Sequence, residues 1–425
     1  MLCRVKKEIT RLILQFCINN TFDSAKKYAK LGYMSTTNKY TVIDLFSGCG
    51  GMSWGLYKSG FKILAGIDNW PIALKTFKKN HPDAKIYNTD IRELNANTIR
   101  SELMLLPGEL DCLVGGPPCQ GFSKNVPAAS RFLFDPRNQL FRDFLRFVGE
   151  FLPKTVIMEN VAEIYNAYNG SVRAEIINEL EKLGYMVNVK VLRAYEFGIP
   201  QKRRRCFFFA SRTGISPIFP TFDNSGNVED SENDKPIWFV NTAWDAISDL
   251  PMLKNGEGEN EMEYNNKPQN NYQELLRRNA IKLYNHDAKR LKEKQFARIS
   301  SLKPGQGLKD LPAPLRPRSG YSGAYGRLDF NMIAPTITRW VFHPGSGRYG
   351  HPRDERIITI REAARIQSFS DDFQFLGSYT EKSGQVGNAV PPLIMYALAP
   401  YIIACLNKPK ATQLFHPIEA CLVSA

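Results

Sequence analysis

The chain has 425 residues, 43% of them hydrophobic, enough to bury a substantial core and to fold as two domains rather than one. Its 56 Lys and Arg against 42 Asp and Glu leave a formal charge of +14, which favours a polyanionic partner without deciding which. Eight cysteines without a CxxC pair and five histidines without HExxH exclude a disulfide scaffold and a zinc site by pattern, and with no apolar run near the roughly 20 residues of a membrane span and no secretory signal the expectation is a cytoplasmic protein with neither metal nor membrane partner.

In chain order, residues 1–38 place Ile9, Leu12, Ile13 and Phe16 on one helical face with Lys6, Lys7 and Arg11 elsewhere, which predicts one or two helices in a small packing or regulatory extension. The stretch 41–51, TVIDLFSGCGG, reads as a strand running into a loop whose backbone can approach a ligand closely. It fails as a dinucleotide fingerprint, because Ser53 stands where a glycine is needed to cradle pyrophosphate. A nucleoside ligand without phosphate, such as S-adenosylmethionine, needs the close approach alone. The next strand, 63–67, ends in Asp68, about 20 residues past the glycines, where a carboxylate can accept both ribose hydroxyls. Pro71 then opens a helix, and Asp90 follows a third short strand. Each acid alone fits a turn or a cap; the succession at βα spacing favours a nucleoside site.

The stretch 113–123, LVGGPPCQGFS, sets Cys119 after two prolines that fix successive φ angles, on a stiffened loop that can aim a thiol. A small buried hydrophobe is the bland alternative for any cysteine. Gly115 and Gly116 permit close backbone approach, and the loop from Gln120 to about Arg137 can act as a closing lid. Leu140, Phe144, Leu145, Val148 and Phe151 form a core helical stripe. The strand 155–158 delivers Glu159, Asn160 and Val161, so that Glu159 is either salt-bridged structure or a tuned acid facing a ligand. Ser171 and Gly184 bracket a helix as N-cap and C′, and 186–192 is a strand. The run QKRRR at 201–205 enters the strand CFFFA with Arg203 and Arg205 on one side, where both can reach one anion or carbonyl.

Beyond about residue 213 the rhythm breaks. Residues 223–263 are acidic and Asn-rich, whereas 316–356 holds seven arginines and no lysine among glycines and Tyr321, Tyr325 and Tyr349. Such a stretch fits DNA recognition, or a loop-rich domain with scattered salt bridges. Thr359 and Glu362 form a capping box before REAARIQSF, and GQVGNAVPP at 384–392 starts a last helix.

PPCQGFS resembles the nucleophile motif of the DNA cytosine-5 methyltransferases of bacterial restriction-modification type, and ENV, QxRxR and the other motifs follow in that family's order from residue 41 to about 405. The resemblance implies an α/β fold: an S-adenosylmethionine-dependent methyltransferase fold with a mostly parallel Rossmann-like sheet and a second, smaller target-recognition domain. The implied divisions are a helical extension at 1–38, a catalytic and cofactor-binding domain at 39–213, the recognition domain at 214–382 and a segment at 383–425 that returns to the catalytic domain. Cys119 becomes the nucleophile and Glu159 the proton donor, with Arg205 at the cytosine O2 and Arg203 near a phosphate or the Cys119 loop. Phe46, Gly48, Gly50, Asp68, Asp90, Ile91, Pro117, Asn388 and Val390 line the S-adenosylmethionine pocket, and Asn69 stands where a bulkier apolar residue is common. Ser123, Arg318, Arg327, Arg339 and Arg348 are the DNA-contact candidates. The implied partners are double-stranded DNA, engaged by a monomer, and a cognate restriction endonuclease of the same system. The lack of long accessory segments favours this over a chromatin enzyme. A tRNA cytosine-5 methyltransferase with the same catalytic domain, or a non-catalytic DNA-binding relative, are the alternatives.

Overall fold

The computed structural model describes residues 40–118, 139–220, 241–318 and 323–407. Strand β1 (Tyr40–Leu45) leads through helix α1 (Gly51–Lys58), β2 (Phe61–Asp68), α2 (Pro71–Asn80), β3 (Lys85–Asn88) and α3 (Ala96–Glu102) to β4 (Cys112–Gly115). Then follow α4 (Leu140–Phe151), β5 (Thr155–Val161), α5 (Ser171–Lys182), β6 (Met186–Arg193) and β7 (Arg204–Ser211). One seven-stranded sheet results, in the order β3-β2-β1-β4-β5-β7-β6. Strands β1 to β5 pair in parallel, and β7 runs antiparallel to both neighbours. An α/β methyltransferase-type sheet is therefore what the strand and helix rhythm builds.

Strand β7 shows why the sheet is central. Its run of three phenylalanines has no polar alternation because both faces are covered. Phe208 joins Val156, Met158 and the apolar faces of α3, α4 and α5 on one side. Phe207 and Phe209 join Val42, Val114, Ile157 and residues of α1 and α2 on the other. Strand order reverses between β1 and β4, so their carboxyl ends open a crevice where ligands bind in sheets of this kind.

The second region has short elements: α6 (Ala243–Ile247), β8 (Glu261–Met262), α7 (Asn271–Arg277), β9 (Leu283–Tyr284), α8 (Glu293–Ser300) and α9 (Ile360–Ile366). Its core runs from Ala243 to Val386 and takes in Cys49 of the glycine loop and Trp54 of α1. Long irregular backbone must find hydrogen-bond partners elsewhere, and buried arginines supply them. Arg361 donates to the carbonyls of Tyr284, Ser370 and Phe373, and Arg365 is fully buried between Asp249 and Asp371. Arg356 bridges Asp354 and Glu362 at 2.8 and 2.7 Å, which holds the Glu362 carboxyl well below its usual range against the opposing effect of burial.

The chain then closes through α10 (Tyr379–Asn388) and α11 (Pro392–Leu406). Helix α11 packs on α1 because Gly51 and Gly55, one turn apart, have no side chains. A Cβ at Gly51 would overlap the Val390 carbonyl oxygen, and one at Gly55 would overlap that of Pro392. Two expectations need correction. Ser171 is the first helical residue of α5 rather than its N-cap, which is Gly170 at φ 82° without a side-chain cap bond. GQVGN closes α10 instead of opening a helix, because the Pro391-Pro392 pair cannot continue it. Among the described residues one stretch, Tyr379–Leu406, is long and apolar enough by composition to span a membrane; it breaks before Pro392, and α11 is buried against the sheet.

The expected helices in 1–38, Cys119, Ser123, the lid from Gln120 to about Arg137, and Tyr321 lie outside the described residues.

Candidate active site

The glycine loop leaves β1 with Phe46 at φ 56°, a left-handed conformation that costs a bulky L-residue energy and that persists where its surroundings dictate it. Gly48 follows at φ 51°, and a Cβ there would meet nothing within 4 Å, so the loop faces open space at this point. The Ser47 hydroxyl is buried without a partner. Gly50 is different. Its absent side chain makes room for Phe77, 2.9 Å from an ideal Cβ, so it serves packing rather than ligand approach.

Asp68, at the end of β2, accepts from Gly48 N and Trp70 N, each at 2.8 Å. Burial raises its carboxyl above the usual range, against those N–H bonds. A carboxylate has about four lone-pair sites, so acceptor capacity remains for a ligand hydroxyl beyond the backbone N–H bonds from Gly48, Trp70 and Asn69. Asn69 is exposed, and Trp70 packs over Gly384 of α10. Behind the loop Asp44 is 1% exposed, takes a 2.6 Å hydrogen bond from Ser53 Oγ, and is pushed up to about 7 by burial.

Asp90 caps a single turn, and both of its oxygens are held by Arg92, with the ion pair at 2.6 Å. That pairing lowers its pKa. Ile91 beside it is buried, and its carbonyl accepts from Arg146. Where the C-terminal return packs on Gly51, Asn388 is exposed and Val390 buried.

Glu159 lies within β5, 8% exposed, with Arg205 Nε donating to its Oε1 at 2.8 Å. The pair forms because β5 and β7 are antiparallel with Glu159 opposite Phe207, which sets Arg205 two residues away on the same face. A Cβ at Gly116 would come 3.1 Å from Glu159 Oε2, so the carboxyl sits directly against the backbone that leads to Cys119. Asn160 Nδ2 donates to the carbonyl of buried Pro117 at 3.0 Å and fixes where that loop departs. Asn160 was not singled out in the sequence, and its place in ENV was the only signal for it.

These features sit where a family model for C-5 cytosine-specific DNA methylases matches, over residues 40–404. The chain belongs to that family. This methylase is 34% identical over 431 residues to Type II methyltransferase M.AgeI of Thalassovita gelatinovora, covering 86% of this chain and 100% of the relative. It is 35% identical to Type II methyltransferase M.DdeI of Desulfomicrobium norvegicum, covering 84% and 87% respectively. Among solved structures it superposes on a candidate DNA modification methyltransferase from an E. coli prophage with a TM-score of 0.68 at 25% identity, covering 87% and 100% of the two chains. Dnmt2 of S. pombe shares the fold at a TM-score of 0.56 and 17% identity, covering 87% and 100%.

In this methylase several arginines do other work than expected. Arg203 is 2% exposed and donates through Nη1 to the carbonyls of Ile337 and Gly387, so it joins the β7 entry to the second region instead of facing a phosphate. Arg327 is buried and gives its donors to the carbonyls of Leu302, His351, Pro352 and Asp354. Arg348 Nη1 serves the carbonyls of Gly305, Gln306 and Arg327. Arg327 is thus not presented as a base reader, because loop backbone without ladder partners claims the same donors that a phosphate would, whereas Arg348 is half-buried and commits its Nη1 to that backbone. Arg318 and Arg339 remain exposed, and Arg339 lies over the exposed Trp340 ring at 5.2 Å.

Proposed function

We propose that this methylase transfers a methyl group from S-adenosylmethionine to C5 of a cytosine flipped out of duplex DNA, as a monomer in the cytoplasm and as the modification half of a restriction-modification system. The observation that carries the reading is the buried Glu159–Arg205 pair packed against Gly116, directly before the Pro117-Pro118-Cys119 turn. The Type II relatives supply the biological setting.

Carbon 5 of cytosine is a weak nucleophile, and C6 is hidden in the stacked duplex, so the base must leave the helix at a cost of a few kcal/mol. Cys119 as thiolate adds to C6. The electron pair of the C5–C6 double bond moves towards N3, where the Glu159 carboxyl delivers a proton, and Arg205 beside it stabilises charge at O2. Carbon 5 thereby becomes the nucleophilic end of an enamine. S-adenosylmethionine supplies an electrophilic methyl carbon when bound. A base, water or a side chain, then takes the C5 proton, Cys119 leaves C6 as thiolate, and the N3 proton returns to the Glu159 carboxylate, which restores the aromatic ring.

The open space at Gly48, the unspent lone pairs of Asp68 and the orphaned Ser47 hydroxyl fit a nucleoside-bearing group. Phe46, Gly48 and Asp68 would hold it from the β1 and β2 ends, Asp90 and Ile91 from the neighbouring turn, Pro117 from beyond β4, and Asn388 and Val390 from the segment packed on Gly51. Bisulfite sequencing of DNA from a host expressing the protein tests the proposal. Protection of cytosines in one short sequence context, lost with Cys119→Ser, is expected; unmodified DNA with a soluble wild-type protein would refute it.

A further inference from the structure

Two fully buried amides, Gln201 and Gln367, lie outside the chemistry described above and join three parts of the molecule. Gln201 Oε1 accepts from Ile337 N at 2.9 Å, and its Nε2 donates to Gln367 Oε1 at 2.8 Å. Gln367 Nε2 in turn donates to the carbonyls of Val386 at 2.7 Å and Ala389 at 3.4 Å. The order of atoms is forced at both ends. An N–H must meet an oxygen at Ile337, and a carbonyl must meet an N–H at Val386, so neither amide can be turned over alone.

A second bridge runs beside the first. Arg203 Nη1 links the carbonyl of the same Ile337 to that of Gly387. Both backbone polar groups of Ile337 are thus held by side chains of the segment that enters β7, and both bridges end on the last turn of α10. Tyr349 braces the flanking positions, with its hydroxyl on Thr336 O and Thr338 Oγ1, each at 3.1 Å. One side of this clamp carries the exposed Arg339-Trp340 tip, whose Arg339 carbonyl is tied back to Ser383 Oγ at 2.9 Å. The other carries Asn388 and Val390, the segment packed against the end of the glycine loop at Gly51.

We propose that Gln201 and Gln367 are positioning residues that couple DNA engagement at the 336–340 turn to the cofactor wall at 386–390, so that each ligand tightens binding of the other. The inference rests on the proposed function. Because the Gln201 and Gln367 amides are buried and bonded along the bridge, Ile337 cannot shift without moving the carbonyls at the end of α10, or else leaving a buried amide unpaired. Coupling between the two sites is reciprocal by thermodynamic necessity.

The test measures affinity for S-adenosylhomocysteine by calorimetry, with and without a synthetic duplex carrying the site that bisulfite sequencing identifies, and duplex affinity with and without S-adenosylhomocysteine. In wild type each ligand should tighten the other by about 5-fold or more, by the same factor in both directions. Gln367→Met keeps the side-chain length and removes both amide links, and it should bring that factor close to 1 while both ligands still bind. Should Gln367→Met fail to fold, Tyr349→Phe removes only the brace and should lower the factor measurably. A wild-type factor of 1, or a folded Gln367→Met or Tyr349→Phe that keeps the wild-type factor, overturns the proposal. Failure of the underlying function reads differently, as absence of a methylated site or of binding by wild type.

Discussion

Replacing Gly51 by alanine tests how the C-terminal return builds the cofactor wall. Gly51 is the first residue of α1, where alanine would ordinarily be favoured by up to about 1 kcal/mol. The added methyl would overlap the Val390 carbonyl oxygen and lie 3.1 Å from Ala389 Cβ. The overlapping atom is backbone and cannot rotate away, so relief requires the 389–391 segment to move outward. Overpacking of this kind costs about 1–3 kcal/mol, which outweighs the propensity gain. Gly149, in the last turn of α4, is the control, since a Cβ there meets nothing closer than Leu183 at 3.9 Å. Thermal unfolding should therefore show Gly149→Ala at or above wild type and Gly51→Ala below it. Calorimetry should also show weakened S-adenosylmethionine binding by Gly51→Ala, as Val390 is displaced. A Gly51→Ala protein as stable as the Gly149→Ala control, with wild-type cofactor affinity, would refute the close-packing argument.

Three further outcomes are expected. Asp68→Ala should weaken S-adenosylmethionine binding by about 10-fold or more, as loss of two hydroxyl contacts implies, and unchanged affinity in the folded variant would remove Asp68 from the site. The Asp44 carboxyl titrates at about 7 in the folded protein against a reference of 3.8, so the folded state holds the extra proton and stability from this group, complete below about pH 4, is lost as pH rises through 7. The shift corresponds to roughly 4 kcal/mol at most; urea unfolding should find Asp44→Asn gaining on wild type between pH 4 and 7, and parallel pH curves would contradict the assignment. Arg327→Ala, which strips donors from four buried carbonyls, should lose more than about 2 kcal/mol of stability. Arg339→Ala should stay within about 0.5 kcal/mol of wild type and instead weaken DNA binding with a shallower salt dependence, a contrast that fluorescence titration and denaturation can deny.

Much of the catalytic half was legible because its signals are local. Apolar runs ending in glycines or acids at βα spacing give the strand order its raw material, and Glu159 in an apolar strand is costly unless paired, which left a salt bridge or a ligand-facing acid as its two readings; the structure supplies Arg205 as the partner. Asp90 illustrates the limit. A carboxylate two residues before an arginine can pair with it whether or not it also meets a ligand, and the sequence does not show that Arg92 takes both of its oxygens. The second region was less legible for the same reason on a larger scale. Five guanidinium donors suit a guanine edge, a phosphate or a loop carbonyl equally, so composition alone could not tell Arg327, which staples four carbonyls, from Arg339, which stays exposed. The Gln201–Gln367 bridge spans 166 residues, and although each glutamine lies in a recognisable motif, nothing local to either one shows that the two meet.

The central claim, a covalent bond between Cys119 and the target base, is tested most directly by replacing the C5 hydrogen of the target cytosine with fluorine. Release after methyl transfer requires loss of a proton from C5, and fluorine cannot leave as one. Wild-type protein, S-adenosylmethionine and the fluorinated duplex should therefore give a complex that survives denaturing electrophoresis. Cys119→Ser should abolish it, since a hydroxyl is far less ionised than a thiol near neutral pH. A folded Cys119→Ser protein that still methylates DNA, or a wild-type protein that methylates the normal duplex yet forms no trapped complex with the fluorinated one, would contradict the mechanism.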